Sequence, residues 1–420
     1  MAQTYEIKEE AERLILVGVA LEDHDDTQKS LDELEELAKT AGAVTLCKVI
    51  QNREKIHPGT YIGKGKIEEV RLLIDDLNAT TVVCDDELSP AQMKNLEQEL
   101  NTKVIDRTVM ILDIFASRAS TREGKIQVEL AQLKYRSSRL TGLGKSLSRL
   151  GGGIGTRGPG EKKLEMDRRL IKDRIAQLKV ELEDIKKARQ TTRSLRNTNG
   201  IPVVAIVGYT NAGKSTLLNK LTNAGILAED KLFATLDPTT RNLKLESGQQ
   251  ILLTDTVGFI RKLPHHLIDA FKSTLEEAKY ANIILHVVDS SNPDADLQMG
   301  VVYETLHNLG VEDKPIVTAF NKVDKMPEET IIKDEKADKT LFISAKHGDF
   351  LPELMDTLEN VLLEQKVYVD EVLPYAVAGF VQEIRKYGQL LLEEYVQEGV
   401  HVKAYVPSDI ASRINHYVGK

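Results

Sequence analysis

The chain has no tryptophan and, in 420 residues, only two cysteines, Cys47 and Cys84. Cysteines so far apart form neither a metal-ligand spacing nor a disulfide framework, which excludes a disulfide-stapled or zinc-built fold. Both read as small buried hydrophobes of a protein in a reducing compartment. Long apolar runs are missing too. The longest, LILVGVAL from Leu14 and PVVAIV from Pro202, fall far short of the ~20 residues a membrane span needs. The acidic start, MAQTYEIKEEAER, has no apolar signal core. A soluble cytoplasmic protein is expected, at most peripheral to a membrane. Positive charge is also short: 56 Lys and Arg against 65 Asp and Glu give a net charge of −9. Taken whole, that figure argues against a nucleic-acid partner.

What is present is a globular composition, 41% hydrophobic and 29% charged, over a length that predicts two to four domains. Residues 1–120 alternate β-rich apolar runs (14–21, 43–50, 81–84) with helically spaced stretches (29–38, 66–77, 90–100, 108–116), a small α/β domain. Over 121–198 apolar residues recur at Ile126, Leu130, Leu133 and Leu140. They recur again at Leu164, Ile171, Ile175, Leu178, Leu182 and Ile185, the seam of a coiled-coil helix. Two such helices predict a long antiparallel hairpin. Its connection, 141–163, carries eight glycines with Lys145, Arg149, Arg157, Lys162 and Lys163. From 199 to 366 the buried strands PVVAIVG, QILLTDT, NIILHVVD, KPIVTAFN and TLFISA alternate with helices, the pattern of a doubly wound, mostly parallel sheet. Residues 367–420 show three short alternating runs (YAVAGFVQEI, QLLLEEYV, VHVKAYV) and a last helix, a small α+β module. The fold class is α/β, and a monomer is expected.

The sharpest motif is GYTNAGKS, Gly208 to Ser215, between the strand PVVAIV and the helix STLLNKL. Gly208 and Gly213 let the backbone curl around phosphate. The amides of Tyr209, Thr210, Asn211 and Ala212 and the helix N-terminus supply positive potential. Lys214 reaches the terminal phosphates, and the Ser215 hydroxyl binds Mg2+. This is a P-loop. In NKVD (Asn321, Lys322, Val323, Asp324) the Asp324 carboxylate can accept from N1–H and the 2-amino group of guanine, donors that adenine lacks, so the site selects GTP. Asn321 reaches the purine and shapes the loop, the Lys322 stem covers the ring, and SAK (Ser344, Ala345, Lys346) closes the other edge. In DTVG (Asp255, Thr256, Val257, Gly258), Asp255 holds Mg2+ through water and Gly258 donates its N–H to the γ-phosphate.

A threonine in KLFATLDPTTRN, 231–242, must complete the Mg2+ shell. Thr235, Thr239 and Thr240 all qualify chemically. Thr235 is favoured because Pro238 breaks the loop just beyond it, and Phe233, Ala234, Leu236 and Asp237 then lie along the nucleotide with it. Where such enzymes often carry a water-orienting glutamine after the glycine, this chain has Phe259. Lys214, Thr235, Gly258 and Phe259 are the catalytic candidates. Slow intrinsic hydrolysis is expected, the alternative being that Phe259 only packs while another group orients water.

The charge is unevenly spread. Residues 134–196 hold 18 Lys/Arg and 7 Asp/Glu, a local +11 on a remainder of −20. A glycine- and arginine-rich loop on a basic hairpin suits a phosphate backbone such as ribosomal RNA, through counterion release. The rival view makes it a solvated spacer and the protein a regulatory switch for a protein or membrane-associated effector.

Together PGTYIGKGKIEE (58–69), the run 106–140, GGGIGTRGPGE (151–161), GYTNAGKS, FATLDPTTR, DTVGFI, NKVD and SAK resemble the HflX family of ribosome-associated GTPases. The resemblance covers about Pro58 to Glu364. It implies GTP hydrolysis with Mg2+, with Thr235 as a metal ligand, and binding to the large ribosomal subunit through the hairpin loop around Arg149 and Arg157. It further implies splitting or rescue of stalled ribosomes, or a role in their biogenesis. Some relatives are thought to bind ATP through the amino-terminal domain. Here that points to Gly63-Lys64-Gly65-Lys66, a sequence that also reads as a plain helix entry.

Overall fold

A computed structural model describes residues 11–21, 26–147, 159–198, 201–222, 232–233, 238–263, 275–327 and 331–418. The chain divides into two compact units. The first comprises Met1–Glu183, Lys231–Phe233 and Arg261–Phe271; the second comprises Asp184–Asp230, Ala234–Ile260 and Lys272–Lys420.

The first unit is built on strands β1 (Arg13–Leu21), β2 (Val44–Arg53), β3 (Thr81–Cys84) and β4 (Lys103–Asp106). They form an all-parallel sheet in the order β2-β1-β3-β4. Seven consecutive residues of β1 are buried, as expected of a strand covered on both faces rather than one. Helices α1 (Thr27–Thr40), α2 (Lys64–Leu77), α3 (Pro90–Leu100) and α4 (Arg107–Arg118) connect or follow the strands. The entry to α3 is written locally: Ser89 accepts from the Gln92 amide, Gln92 answers the Ser89 amide, and Pro90 pre-sets the first turn. Gly63-Lys64-Gly65-Lys66 opens α2, with Lys66 paired to Glu69 at 2.7 Å. Strand β4 escapes the periodicity reading because KVID is four residues long and starts three residues after a helix ends. Both cysteines are free thiols, Cys84 in the core and Cys47 packed against it.

Helices α5 (Arg122–Leu147) and α6 (Pro159–Thr198) run antiparallel, α5 and the part of α6 up to Glu183 belonging to this unit. Cross-links descend one helix as they climb the other: Arg122 with Glu181, Glu129 with Arg174, and Leu140 with Arg168. Of the expected α6 seam, Leu178 is fully buried and Ile171, Ile175 and Leu182 are half-buried. Arg149 and Arg157 lie outside the described residues.

The second unit holds strands β5 (Val203–Gly208), β6 (Thr239–Lys244), β7 (Gln250–Asp255), β8 (Ile283–Asp289), β9 (Ile316–Asn321) and β10 (Lys339–Phe342). The sheet order is β10-β9-β8-β5-β7-β6, parallel except for the edge strand β6. Strand β6, TTRNLK, was not anticipated because an edge strand with partly exposed faces needs no apolar run. Helices α7 (Lys214–Thr222), α8 (Ala295–Asn308) and α9 (Leu351–Glu364) accompany the sheet. Leu354, Leu358, Val361 and Leu362 of α9 pack into a core with Val204, Leu285 and Val317. Sheet order reverses around β5, so a crevice opens beyond the carboxyl ends of the strands on either side of it.

The last module carries β11 (Val367–Leu373), α10 (Gly379–Tyr387), β12 (Gln389–Val396), β13 (Gly399–Val406) and α11 (Ser408–Val418), with strand order β11-β13-β12. One run expected to alternate, YAVAGFVQEI, is helical instead. Phe380, Val381 and Ile384 repeat at helical spacing and are buried against the sheet, and Gly388 caps the end.

Candidate functional site

The crevice is shaped first by backbone. Gly208 ends β5 at φ 151° and Gly213 stands at φ 97°. A side chain at Gly208 would meet the Val287 carbonyl, and one at Gly213 would meet the Asn321 amide. Thr210 donates its N–H to the Phe259 carbonyl at 2.8 Å and Phe259 donates to the Gly208 carbonyl at 3.1 Å. The loop from Tyr209 to Ala212 is thereby tied to the segment after DTVG. Phe259 is 2% exposed, so its ring is packed and its main chain clamps the loop. Gly258 lies so close that a Cβ would stand 2.8 Å from Thr210 and 3.0 Å from the Lys214 ammonium. No other residue could bring its N–H to this point without displacing the loop.

Lys214 is 6% exposed and donates to the Gly208 and Tyr209 carbonyls at 3.1 and 2.7 Å. Burial pulls its pKa down to about 8, against the opposing attraction of Asp255. A polyphosphate beside it would push that value back up. Nucleotide binding is therefore expected to take up protons near pH 8, and affinity to fall as pH rises above 8. Calorimetry in buffers of different ionisation heat measures the uptake; heats independent of buffer at pH 8 would sink the assignment.

Ser215, in the first turn of α7, donates to Asp255 at 2.7 Å. A hydroxyl and a carboxylate meeting at a helix N-terminus, beside a phosphate loop, are hard oxygen donors of the kind Mg2+ takes while keeping phosphate and water in its remaining positions. Thr256 is turned away, donating to the Ile206 carbonyl at 2.8 Å. Val257 is buried. Thr239 and Thr240 lie in β6, and Thr240 is hydrogen-bonded to Thr254 at 3.0 Å. Ala234, Thr235, Leu236 and Asp237 fall outside the described residues. Phe233 belongs to the first unit, where its ring meets Phe115 edge-on with centroids 4.6 Å apart.

The residues expected to read the base converge at the ends of β9 and β10. Asn321 donates to the Ala212 carbonyl at 2.8 Å and accepts from the Ala345 amide at 2.9 Å. It therefore splints the phosphate loop to SAK, its amide engaged on both sides. Lys322, left-handed at φ 66°, is tied to Asp289 at 2.7 Å. Val323 donates to the Ile343 carbonyl at 3.2 Å. Asp324 accepts from Ser344 at 2.6 Å, with His347 at 3.7 Å from its other oxygen. The Ser344 hydrogen bond leads the effects that hold Asp324 below the usual carboxylate range. Since the lowered value keeps the carboxylate charged, guanine recognition is expected to stay flat from pH 8 down to about 5. Titrating the preference for GTP over ATP across that interval tests it, since the Lys214 contribution is common to both, and a loss of preference centred near pH 6 would contradict it. Asp289, Ser290, which donates to the Asn321 carbonyl, and His347 were not anticipated; only the histidine, following SAK directly, had a visible cue.

The chain is similar to known proteins along most of its length. Residues 28–116, 118–196 and 203–322 match the family models described as GTP-binding GTPase N-terminal, GTP-binding GTPase Middle Region and 50S ribosome-binding GTPase. The GTPase HflX of Lacrimispora saccharolytica is 68% identical over 410 residues, covering 98% of this chain and 97% of that one. That of Caldanaerobacter subterraneus is 48% identical, covering 98% and 95%. That of Escherichia coli K12 is 42% identical, covering 84% and 83%.

Proposed function

From the premise that this chain belongs to the HflX family of GTPases and hydrolyses GTP, we propose that it docks on the large ribosomal subunit in its GTP-bound state and there splits or rescues stalled ribosomes. The single observation that most supports a nucleotide-gated factor is the clamp between Phe259 and the phosphate loop. Whatever alters the contact of Gly258 with a γ-phosphate is transmitted at once to the chain that follows. The basic stretch 134–196 supports an RNA partner, its local +11 set against −20 elsewhere. Arg149 and Arg157 stand for the loop that would approach the RNA backbone.

Mg2+ would be held by Ser215 and Asp255, with Thr235 as a further ligand, and would neutralise charge developing between the β- and γ-phosphates. Lys214 supplies a second positive group, and Gly213 and the loop amides orient the chain of phosphates. Nothing on the Phe259 side chain can orient water. We expect the isolated protein to turn over well below ~1 per second, with large subunits raising the rate at least ~10-fold. A rate for the protein alone near the top of the ~1–100 per second range would show the site complete without a partner. Sedimentation with large subunits and a non-hydrolysable GTP analogue tests docking directly. Reversing Arg149 and Arg157 to glutamate is expected to weaken it and flatten its salt dependence.

A further inference from the structure

The helix-free face of the last sheet has no part in the site above. On its other face Val369, Leu373, Val400, Val402, Ala404 and Val406 are buried against α10 and α11. Alternation along β11 and β13 puts Tyr368 and Asp370, and His401, Lys403 and Tyr405, on the free side. Tyr368 and Tyr405 are direct cross-strand partners with ring centroids 5.3 Å apart. Tyr368 is 47% exposed. The two rings form one wall of a cleft of about 540 Å³ in the second unit, whose other wall is the end of α9 with Lys339 and Lys366. That volume suits a ligand of nucleotide size.

The chemistry narrows what fits. One exposed ring, Tyr368, and one half-buried ring, Tyr405, offer π faces, and amines stand across the cleft. Lys366 is engaged by a neutral partner, Gln249, at 3.1 Å, and Lys339 meets Glu364 at 3.4 Å. On the sheet, Asp370 holds His401 at 2.6 Å and Lys403 at 2.9 Å. Charge here is therefore largely balanced. Such a face would not attract duplex by counterion release; it favours a planar base with a single phosphate at its edge. Aromatic side chains presented on a sheet face are surfaces on which unstacked RNA bases can stack.

We propose that Tyr368 and Tyr405, with Lys366 and Lys339 across the cleft, bind unpaired nucleotides of single-stranded RNA, a base stacking on the tyrosines and a phosphate meeting the lysines. This site is separate from the basic hairpin, which would read backbone in any strand.

The experiment needs neither GTP nor ribosomes, so its outcome is independent of the function proposed above. Fluorescence anisotropy of a labelled single-stranded RNA octamer is measured on the full chain, with excess unlabelled RNA duplex occupying the hairpin. Tyr368→Ala and Tyr405→Ala are each expected to weaken binding about tenfold. Tyr368→Phe and Tyr405→Phe keep the ring and should stay within about twofold, and Lys366→Gln should reduce the salt slope by about one. The proposal is overturned if the duplex abolishes all octamer binding by the unaltered protein. It is equally overturned if the double alanine variant, melting where the unaltered protein does, binds the octamer as tightly, or if the phenylalanine variants lose binding.

Discussion

Asp324→Asn is expected to exchange GTP for xanthosine triphosphate as the preferred nucleotide. The carboxylate is fixed by the Ser344 hydroxyl at 2.6 Å, beside the Asn321 splint that holds SAK to the phosphate loop. Guanine presents two donors to it, N1–H and the 2-amino group. An asparagine keeps one acceptor and replaces the other with a donor, which opposes the 2-amino group and complements the 2-carbonyl of xanthine. A site built for one hydrogen-bonding pattern discriminates by several orders of magnitude against its inverse, because polar groups are left facing each other unpaired. GTP affinity should fall on the order of 10²- to 10⁴-fold, and xanthosine triphosphate should rise to take its place. Competition against a fluorescent GDP analogue measures both arms. If Asp324→Asn keeps GTP affinity within about threefold, Asp324 has no part in base recognition. Lys214→Ala is the companion control, since loss of the phosphate contact should weaken both nucleotides alike.

The largest effect on stability is expected from Asp106→Ala. Asp106 is 0% exposed and joins four donors: the Leu88 and Val109 amides at 3.0 Å each, the Tyr135 hydroxyl at 2.9 Å and Arg139 at 2.8 Å. It is at once the cap of α4 and the counter-ion of Arg139, whose guanidinium also lies over the Tyr135 ring. The same carboxylate pushes the Tyr135 pKa up, second to burial. Removing it takes from a mostly buried cation its nearest carboxylate, leaving Glu87 at 3.9 Å and the Leu88 carbonyl at 3.0 Å, and unpairs three hydrogen-bond donors, a loss of about 3–5 kcal/mol. In a unit of this size that is a fall of about 10 °C in its unfolding transition. Asp106→Asn keeps the shape and part of the bonding and should cost less than half as much. Circular dichroism melts check both, with GTP affinity measured alongside. All four partners of Asp106 belong to the first unit, so nucleotide binding should survive. A shift under about 2 °C would mean that the cluster reorganises around the gap.

The phosphate loop was legible in the chain because its function is carried by consecutive residues. Gly208 and Gly213 take positive φ and Lys214 and Ser215 stand in the first turn of α7, a placement that spacing alone specifies. NKVD and SAK were legible as types, less so as roles. Asn321, expected against the purine, spends its amide on Ala212 and Ala345, and Lys322 is drawn to Asp289. Strands β4 and β6 were missed because short or edge strands bury too little to leave a pattern, and YAVAGFVQEI was misread because a brief alternation preceded a helical one.

By itself the sequence determined the nucleotide, the order of the motifs, the α/β class and the polarity of charge along the chain. Each of these is set by residues close together in the chain, where motif spacing and periodicity act. Only the tertiary structure decided which groups are spent holding others in place. The Asn321–Ala212 bond spans 109 residues, and three of the four donors to Asp106 come from 18 to 33 residues away. Such contacts depend on how strands are ordered in the sheets, and any of several polar residues of similar composition could have supplied them. The pairing of Tyr368 with Tyr405 is of the same kind: two ordinary tyrosines become one surface because β11 and β13 are neighbours in register.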